Sequence, residues 1–207
     1  MVKTDALLCP RTLQTARLRL EPLGVRHLEH VMQTLEHQEF MRLTGTHVRY
    51  TRFEVQRLLS SLPRRGDRAD WAILDREDGQ YLGEVVLNDL DGYNQSMNFR
   101  ILLAHPELVG QGYGTEATNA VVEYGFHLVG LHRISLSVYA FNPRARRVYE
   151  KCGFSFEGTQ RDALCWEGQW VDQFLMSILK TDPRPDVTLE FGPGGSVTAR
   201  VMSPQAR

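Results

Sequence analysis

The sequence predicts a mixed α/β (α+β) fold: a sheet whose antiparallel strands come first, followed by a crossover through helices. Three observations predict it. Runs that alternate apolar and polar residues or are rich in β-formers mark neighbouring strands at 71–75, 81–87 and 96–104. Asp78-Gly79, between two of these runs, is a hairpin signal, and a hairpin pairs its strands antiparallel. A glycine-rich turn at 110–114 then leads into a long helical pattern, so the next strand returns by a crossover.

Each element has its own warrant. Arg17 to Leu23 alternates as a half-buried strand does. Leu28, Val31, Met32 and Leu35 recur at helical spacing. Thr51 and Glu54 form a capping box ahead of a second helix, which Pro63 and Gly66 end. The long helix spans about 115–129, with Ala117, Val121, Val122, Tyr124 and Leu128 among its apolar positions and Gly130 as its stop. Arg133 to Tyr139 is a β-rich run. Asn142-Pro143 opens a short helix, with Asn as N-cap and Pro at the first helical position, and Gly153 closes it. A strand at 154–158 follows, then a hairpin over 164–179 turning near Glu167-Gly168. After Lys180 the chain becomes rich in Pro, Gly and charge; residues 187–191 could add one short strand. The organisation read from this is a loose lead-in at 1–14, one domain at 15–180 and a Pro/Gly-rich extension at 181–207.

Composition narrows the function. The 207 residues hold 24 Lys plus Arg against 25 Asp plus Glu, a net charge of −1. No basic excess draws the chain to nucleic acid or to an anionic membrane. The three cysteines form no CxxC pair, and an odd count does not suit a disulfide framework. No run approaches the ~18–20 apolar residues of a membrane span. These features lead us to expect a cytoplasmic protein. Its seven histidines show no HxxxH or HExxH spacing, so no metal site is expected.

Two segments carry chemistry. The first is Leu108-Val109-Gly110-Gln111-Gly112-Tyr113-Gly114-Thr115-Glu116-Ala117, between a strand and a helix. Alternate glycines bare the main chain, and the helix start adds unpaired N–H groups and a positive dipole end, a seat for a diphosphate. A tight turn that only lets the helix pack is the plainer alternative. It is no Walker loop, because no GK[ST] follows, and GQGYG lacks the GxGxxG spacing. The second segment is Asn142 to Phe154, NPRARRVYEKCGF. Tyr149 lies seven residues after Asn142, two helical turns on and on about the same face. Arg144, Arg146 and Arg147 are either a solvated face or partners for a phosphate at the glycine-rich turn. Cys152, just before Gly153-Phe154, reads as a core residue rather than an acyl carrier.

Together the two segments resemble the GNAT superfamily of N-acetyltransferases. HPELVGQGYGTEA is similar to its acyl-CoA loop, [QR]xxGx[GA]. NPRARRVYEKCGF is similar to its NxxSxxxYxxxGF segment. EGQWVDQFLMSIL resembles the last hairpin of the branch that acetylates ribosomal-protein N-termini and polyamines. The likeness covers roughly residues 15–180. Val109 stands where the loop pattern has Gln or Arg, and Ala145 where the helix pattern has Ser. Asn98 stands where polyamine-branch relatives carry glutamate.

The resemblance implies a mostly antiparallel sheet with splayed middle strands, and acetyl-CoA as co-substrate without a metal. It implies that Val109, Gly110, Gln111, Gly112, Tyr113, Gly114 and Thr115 hold the diphosphate. Ile101, Leu102 and Leu103 would face the pantetheine arm, with the Leu103 N–H polarising the acetyl carbonyl. Asn142 would contact the pantetheine. Tyr149 would be the general acid. Glu84 is the first candidate for general base, with Asp89 and Asp91 as candidates acting through water. Trp166, Trp170 and the helices at 27–62 would line the acceptor cleft. The acceptor would be a primary amine: a protein N-terminus, a small amine or an amino acid. Similar proteins are often homodimers. The alternative from another class is an acyl-CoA-binding regulatory module without catalysis; an unrelated nucleotide-binding protein is the third reading.

Overall fold

Strand runs with alternate or wholly buried positions pair into one sheet in the computed structural model, which describes residues 2–202. The strands are β1 (Leu13–Gln14), β2 (Leu18–Pro22), β3 (Ala69–Asp75), β4 (Tyr81–Asp91), β5 (Ser96–Leu103), β6 (Arg133–Tyr139), β7 (Ser155–Trp166), β8 (Gln169–Leu179), β9 (Val187–Phe191) and β10 (Val197–Val201). Their order across the sheet is β7-β8-β6-β5-β4-β3-β2-β1-β10-β9. The pairs β5–β6 and β1–β10 are parallel; the others are antiparallel. This is the mixed sheet the sequence predicts.

Helices cover both faces. They are α1 (Asp5–Leu8), α2 (Leu28–Glu36), α3 (Gln38–Thr44), α4 (Arg52–Ser61), α5 (Tyr113–Tyr124) and α6 (Pro143–Lys151). α5 and α6 lie over the larger core, where Ala117, Val121 and Tyr149 meet Val85, Leu87 and Phe99. α2 and α4 cover the other face, where Val31 and Leu59 meet Ala72, Leu74 and Tyr81. The capping box of α4 is formed: the Glu54 N–H donates to Thr51 Oγ1 and the Thr51 N–H to Glu54 Oε2, at 3.3 and 2.8 Å. Both hairpin turns fall where the sequence puts them, at Asp78-Gly79 and Glu167-Gly168.

Several elements differ from the sequence reading. α5 begins two residues early, at Tyr113, and widens to a π-type turn at Gly125–Val129 before Gly130 stops it. α3 was not predicted; its seven residues bury only Phe40. The strand at 154–158 runs on as one long β7 into the hairpin. The first 14 residues, read as a loose lead-in, are tied down. Leu7 is fully buried, Trp71 Nε1 donates to Arg11 O at 2.9 Å, and Tyr124 Oη donates to Ala6 O at 2.6 Å. The extension forms β9 at Val187–Phe191, where the sequence allows one short strand, and β10, which pairs with β1 on one side and β9 on the other. Arg184 also reaches Glu123 on α5, with a 3.4 Å contact to Oε2 and a closer one to Oε1. β10, which no local signal announces, and β9 thus extend one end of the sheet beyond β1.

Candidate active site

β5 and β6 pair only through Ser96↔Arg133, Met97↔Ile134 and Asn98↔Ser135. Beyond them β5 stays on β4 and β6 stays on β8, and the two diverge. The Ala104 N–H donates to Leu82 O at 2.8 Å. Backbone direction alternates along a strand, so the main chains of Phe99, Ile101 and Leu103 turn toward the gap and that of Leu102 turns to β4. Leu102 is therefore displaced from the gap-facing set expected with Ile101 and Leu103. Polar main-chain groups on such an opened edge need a partner from outside the sheet.

The glycine-rich turn follows β5. Gly110 and Gly112 have φ of +89° and +88°, a region that residues with a Cβ rarely adopt. An added Cβ at Gly110 meets nothing within 4 Å, so the main chain there is open to approach. The first N–H groups of α5 lack helical acceptors and carry the positive end of its dipole. Sequence reasoning missed what fixes this turn. Arg17 donates to Gln111 O at 3.0 Å, pairs with Glu116 at 2.8 Å and lies over the Tyr113 ring at 4.6 Å. Thr15 Oγ1 donates to the same Glu116 at 2.6 Å. Arg17 thus offsets an acidic charge placed next to an anion seat. The signal in the sequence was an acidic residue in the first helical turn.

α6 starts where β6 ends. Asn142 is its N-cap, its Oδ1 accepting the Ala145 N–H at 3.1 Å, which leaves the side-chain NH₂ free to donate. Val148 sits against Gly114. Arg144, one turn earlier on the same face, is exposed and makes no ion pair among the described residues. Arg146 is committed elsewhere: its guanidinium pairs with Glu150 at 2.9 Å and lies over Phe156 and Phe174 at 5.3 and 4.9 Å. That takes it off the phosphate side expected for it. Tyr149 is buried, edge-on to Phe99 at 6.2 Å, beside the first residue past the pairing of β5 with β6. Burial pushes its phenol above the usual range, so it stays protonated. Burial also pushes the Cys152 thiol up to about 12, which keeps it from acting as a nucleophile.

Glu84 lies on β4 opposite Leu102, half-buried. Burial raises its carboxyl above the ordinary value, while Arg100 opposes the shift and Asp70 adds to it. The candidates Asp89 and Asp91 are exposed at the far end of the β4–β5 hairpin. At ~3.4 Å per residue, Asp89 is about 17 Å along the strand from Glu84. Asp91 is occupied by Asn94, which donates to it from N and Nδ2 and holds its carboxyl low. Neither belongs to the site around Leu103.

A cleft of about 620 Å³ lies between α2, α3, the 46–50 segment and the β7–β8 tip, lined by Met32, Glu36, Glu39, Arg49, Tyr50 and Trp166 among others. α3 spans the ends of the gap strands: His37 meets His105 at 5.0 Å just past β5, and Arg42 covers Phe141 at 4.4 Å just past β6. Trp166 stacks on His47 at 4.9 Å. Trp170 pairs with Cys165, points to the opposite side and is 65% exposed, so it is not part of the cleft wall. Among the described residues no His/Cys/Asp/Glu group could hold a metal ion, and no helix is long and apolar enough to cross a membrane.

Comparison with known proteins adds a second line of observation. Residues 17–155 match the family described as Acetyltransferase (GNAT) domain. Spermidine N(1)-acetyltransferase of Vibrio cholerae is 35% identical over 107 residues, 51% of this chain and 61% of that protein. The putative ribosomal N-acetyltransferase YdaF of Bacillus subtilis is 31% identical over 105 residues, 51% of this chain and 57% of that protein. The aligned stretch is thus less than two thirds of either relative's length. The crystal structure of spermidine N-acetyltransferase from Vibrio cholerae with CoA and spermine superposes with a TM-score of 0.74 at 25% identity, covering 79% of this chain and 96% of that one.

Proposed function

The chain belongs to the GNAT acetyltransferase family, and from that premise we propose that it is an N-acetyltransferase moving an acetyl group from acetyl-CoA to a small primary amine by direct attack in a ternary complex. The single observation that carries this reading is the opening of β5 from β6 after Asn98 and Ser135, with an anion seat at one end and a buried phenol beside it. The donor set fits coenzyme A. Bare main chain at Gly110 and Gly112, the start of α5 and the exposed Arg144 suit a diphosphate. The gap-facing main chains of Ile101 and Leu103 suit the amides of a pantetheine arm, and the Asn142 NH₂ can add one bond.

Acetyl-CoA supplies the acyl group as a thioester. The Leu103 N–H donates to the acetyl carbonyl oxygen, where negative charge grows as the amine adds. Glu84 takes the proton the ammonium must lose; its raised pKa brings it closer to the working range of a general base. Tyr149 gives a proton to the departing sulfur, and its burial keeps that proton in place at neutral pH. The new N–C bond replaces the C–S bond, the nitrogen gives up its second proton to restore the Tyr149 phenol, and a free thiol leaves. The cleft under α3 admits the amine from the face opposite α5, so the two substrates meet across the gap. Relatives named for spermidine and for ribosomal acceptors support a small-amine or N-terminal acceptor.

Thiol release from acetyl-CoA, run with spermidine, free amino acids and an alanine-starting peptide, tests the reading. Turnover with at least one amine, with a mass gain of one acetyl group on it, is the expected result. Tight coenzyme A binding with no turnover across the panel would instead favour a regulatory module.

A further inference from the structure

Tyr81 carries the one side-chain polar atom that, among the described residues, is sealed from solvent without a hydrogen-bond partner. A buried hydroxyl left unpaired is destabilising, and one that persists calls for a reason. The β-bulge at Gly83 supplies a place to look. β3 and β4 slip register there, Ile73 facing Gly83 and Leu74 facing Tyr81. Leu82 and Val85 both pack into the core under α5, whereas Tyr81 packs under α2 and α4. With alternation resumed past Gly83, Tyr81 and Glu84 point to the same face of the sheet. A regular strand would put residues three apart on opposite faces.

The groups facing this pair are few. From β3 comes Asp70, paired with Arg68 just before the strand. From β5 comes Arg100, a neighbour of Glu84. From the α2 side, the His30 ring lies flat on Tyr81 at 4.9 Å and 8°, and His27 is 6.3 Å away. His27 is bonded to Glu21 at 3.0 Å, and Arg26 lies beside them. None of these takes the Tyr81 hydroxyl.

We infer that Tyr81 is a positioning residue for Glu84: its hydroxyl, which has no direct partner, donates through one bridging water to the Glu84 carboxylate. A neutral donor stabilises the charged form of a half-buried carboxyl without adding a charge of its own. It also fixes which way the carboxyl turns, toward the gap where the amine must lose its proton. The catalytic half of this inference rests on the proposed role of Glu84 as base; the hydrogen bond itself does not.

Carboxyl-carbon NMR of glutamate-labelled protein reads the Glu84 midpoint directly, with Glu84→Gln identifying the line. In Tyr81→Phe the midpoint moves up by about one pH unit, the size of one lost hydrogen bond to a charged group. The acid limb of kcat/KM for acetyl transfer to spermidine moves with it. An unmoved midpoint overturns the inference. Should Tyr81→Phe fail to fold, 3-fluorotyrosine in place of tyrosine makes a stronger donor and moves the midpoint down; no movement there overturns it equally. Activity that survives Glu84→Gln removes the base reading alone, because the titration needs no acceptor.

Discussion

Replacing Gly83 by Ala should damage stability and chemistry through one contact. Gly83 sits at φ +146°, inside the bulge, where an added Cβ would lie 2.1 Å from Leu102 O and 2.8 Å from Leu103 Cα. Both neighbours are main chain, and ordinary contact begins near 3.4 Å. The strands must part by more than an ångström, or the bulge must flatten. Backbone held in so sparse a region costs a non-glycine residue about 1–3 kcal/mol, before the overlap is counted. A total near 3 kcal/mol lowers Tm by about 6–12 °C for a chain of this size. Flattening also rotates Leu103, whose N–H is the proposed donor to the acetyl carbonyl, so kcat should fall by about 10²-fold, as when one such donor is lost. Differential scanning calorimetry and thiol release at a temperature well below both midpoints separate the two effects. A Gly83→Ala protein melting with the parent and turning over at the parent's rate would refute both the clash and the placement of Leu103.

Other expected outcomes are as direct. Tyr149→Phe should cut the acetyl-transfer rate by about 10²-fold while leaving coenzyme A affinity by calorimetry nearly unchanged; an unchanged rate removes Tyr149 from the acid role. Gly112→Val should abolish coenzyme A binding, since φ is +88° there and the side chain would project toward Arg17 Nη2, 3.1 Å from its Cβ; retained heat on titration would move the anion seat elsewhere. Glu84→Gln should stop turnover and yet raise Tm at pH 8. The Glu84 carboxyl has a folded pKa raised by burial, so its effect on stability is fully present below the unfolded value and is lost as pH rises through the folded one. The amide escapes that loss, and the gain in Tm should vanish toward pH 4. Arg184→Met should leave Glu123, only 4% exposed, with His127 at 3.0 Å as its remaining partner and cost about 1–3 kcal/mol; a protein as resistant to urea as the parent would count against that ion pair.

What the sequence displays is what neighbouring residues decide. The turns at Asp78-Gly79 and Glu167-Gly168, the caps at Thr51 and Asn142, and the glycine-rich start of α5 are local, and each falls where the residues place it. Pairing between distant segments is not local. Nothing near Leu13 announces a parallel partner at Val197, and nothing near Pro183 announces that Arg184 neutralises Glu123. α3 escaped notice because seven residues with one buried side chain make too short a period to count. The sorting of the arginines was equally hidden. Arg144 and Arg146 look alike in sequence, but only the packing of α6 beside Phe156 and Phe174 takes the second away from the anion seat. The gap itself follows from where pairing stops, which no residue at 99–103 states alone.

The sheet also explains how the proposed acid and base coexist. Tyr149 packs with the helices on one face, and Glu84 lies on the other. Placed side by side, the Tyr149 phenol and the Glu84 carboxylate would share one proton, and the acid could not reach the departing sulfur while the base reached the amine. Separated by a sheet, they communicate only where the sheet is open, past Asn98 and Ser135. One physical cause then serves both roles. Burial disfavours the ionised form of each, so it holds the proton on Tyr149 and makes Glu84 a stronger acceptor of one. That arrangement needs no metal and no fixed countercharge, but it depends on burial staying intact on both faces. Loosening α2 by Val31→Ala should therefore lower the Glu84 midpoint, and loosening α6 by Val148→Ala the Tyr149 pKa. A variant in which packing is lost over one face while both titrations stay put would show that the pKa values are set by neighbouring charges instead.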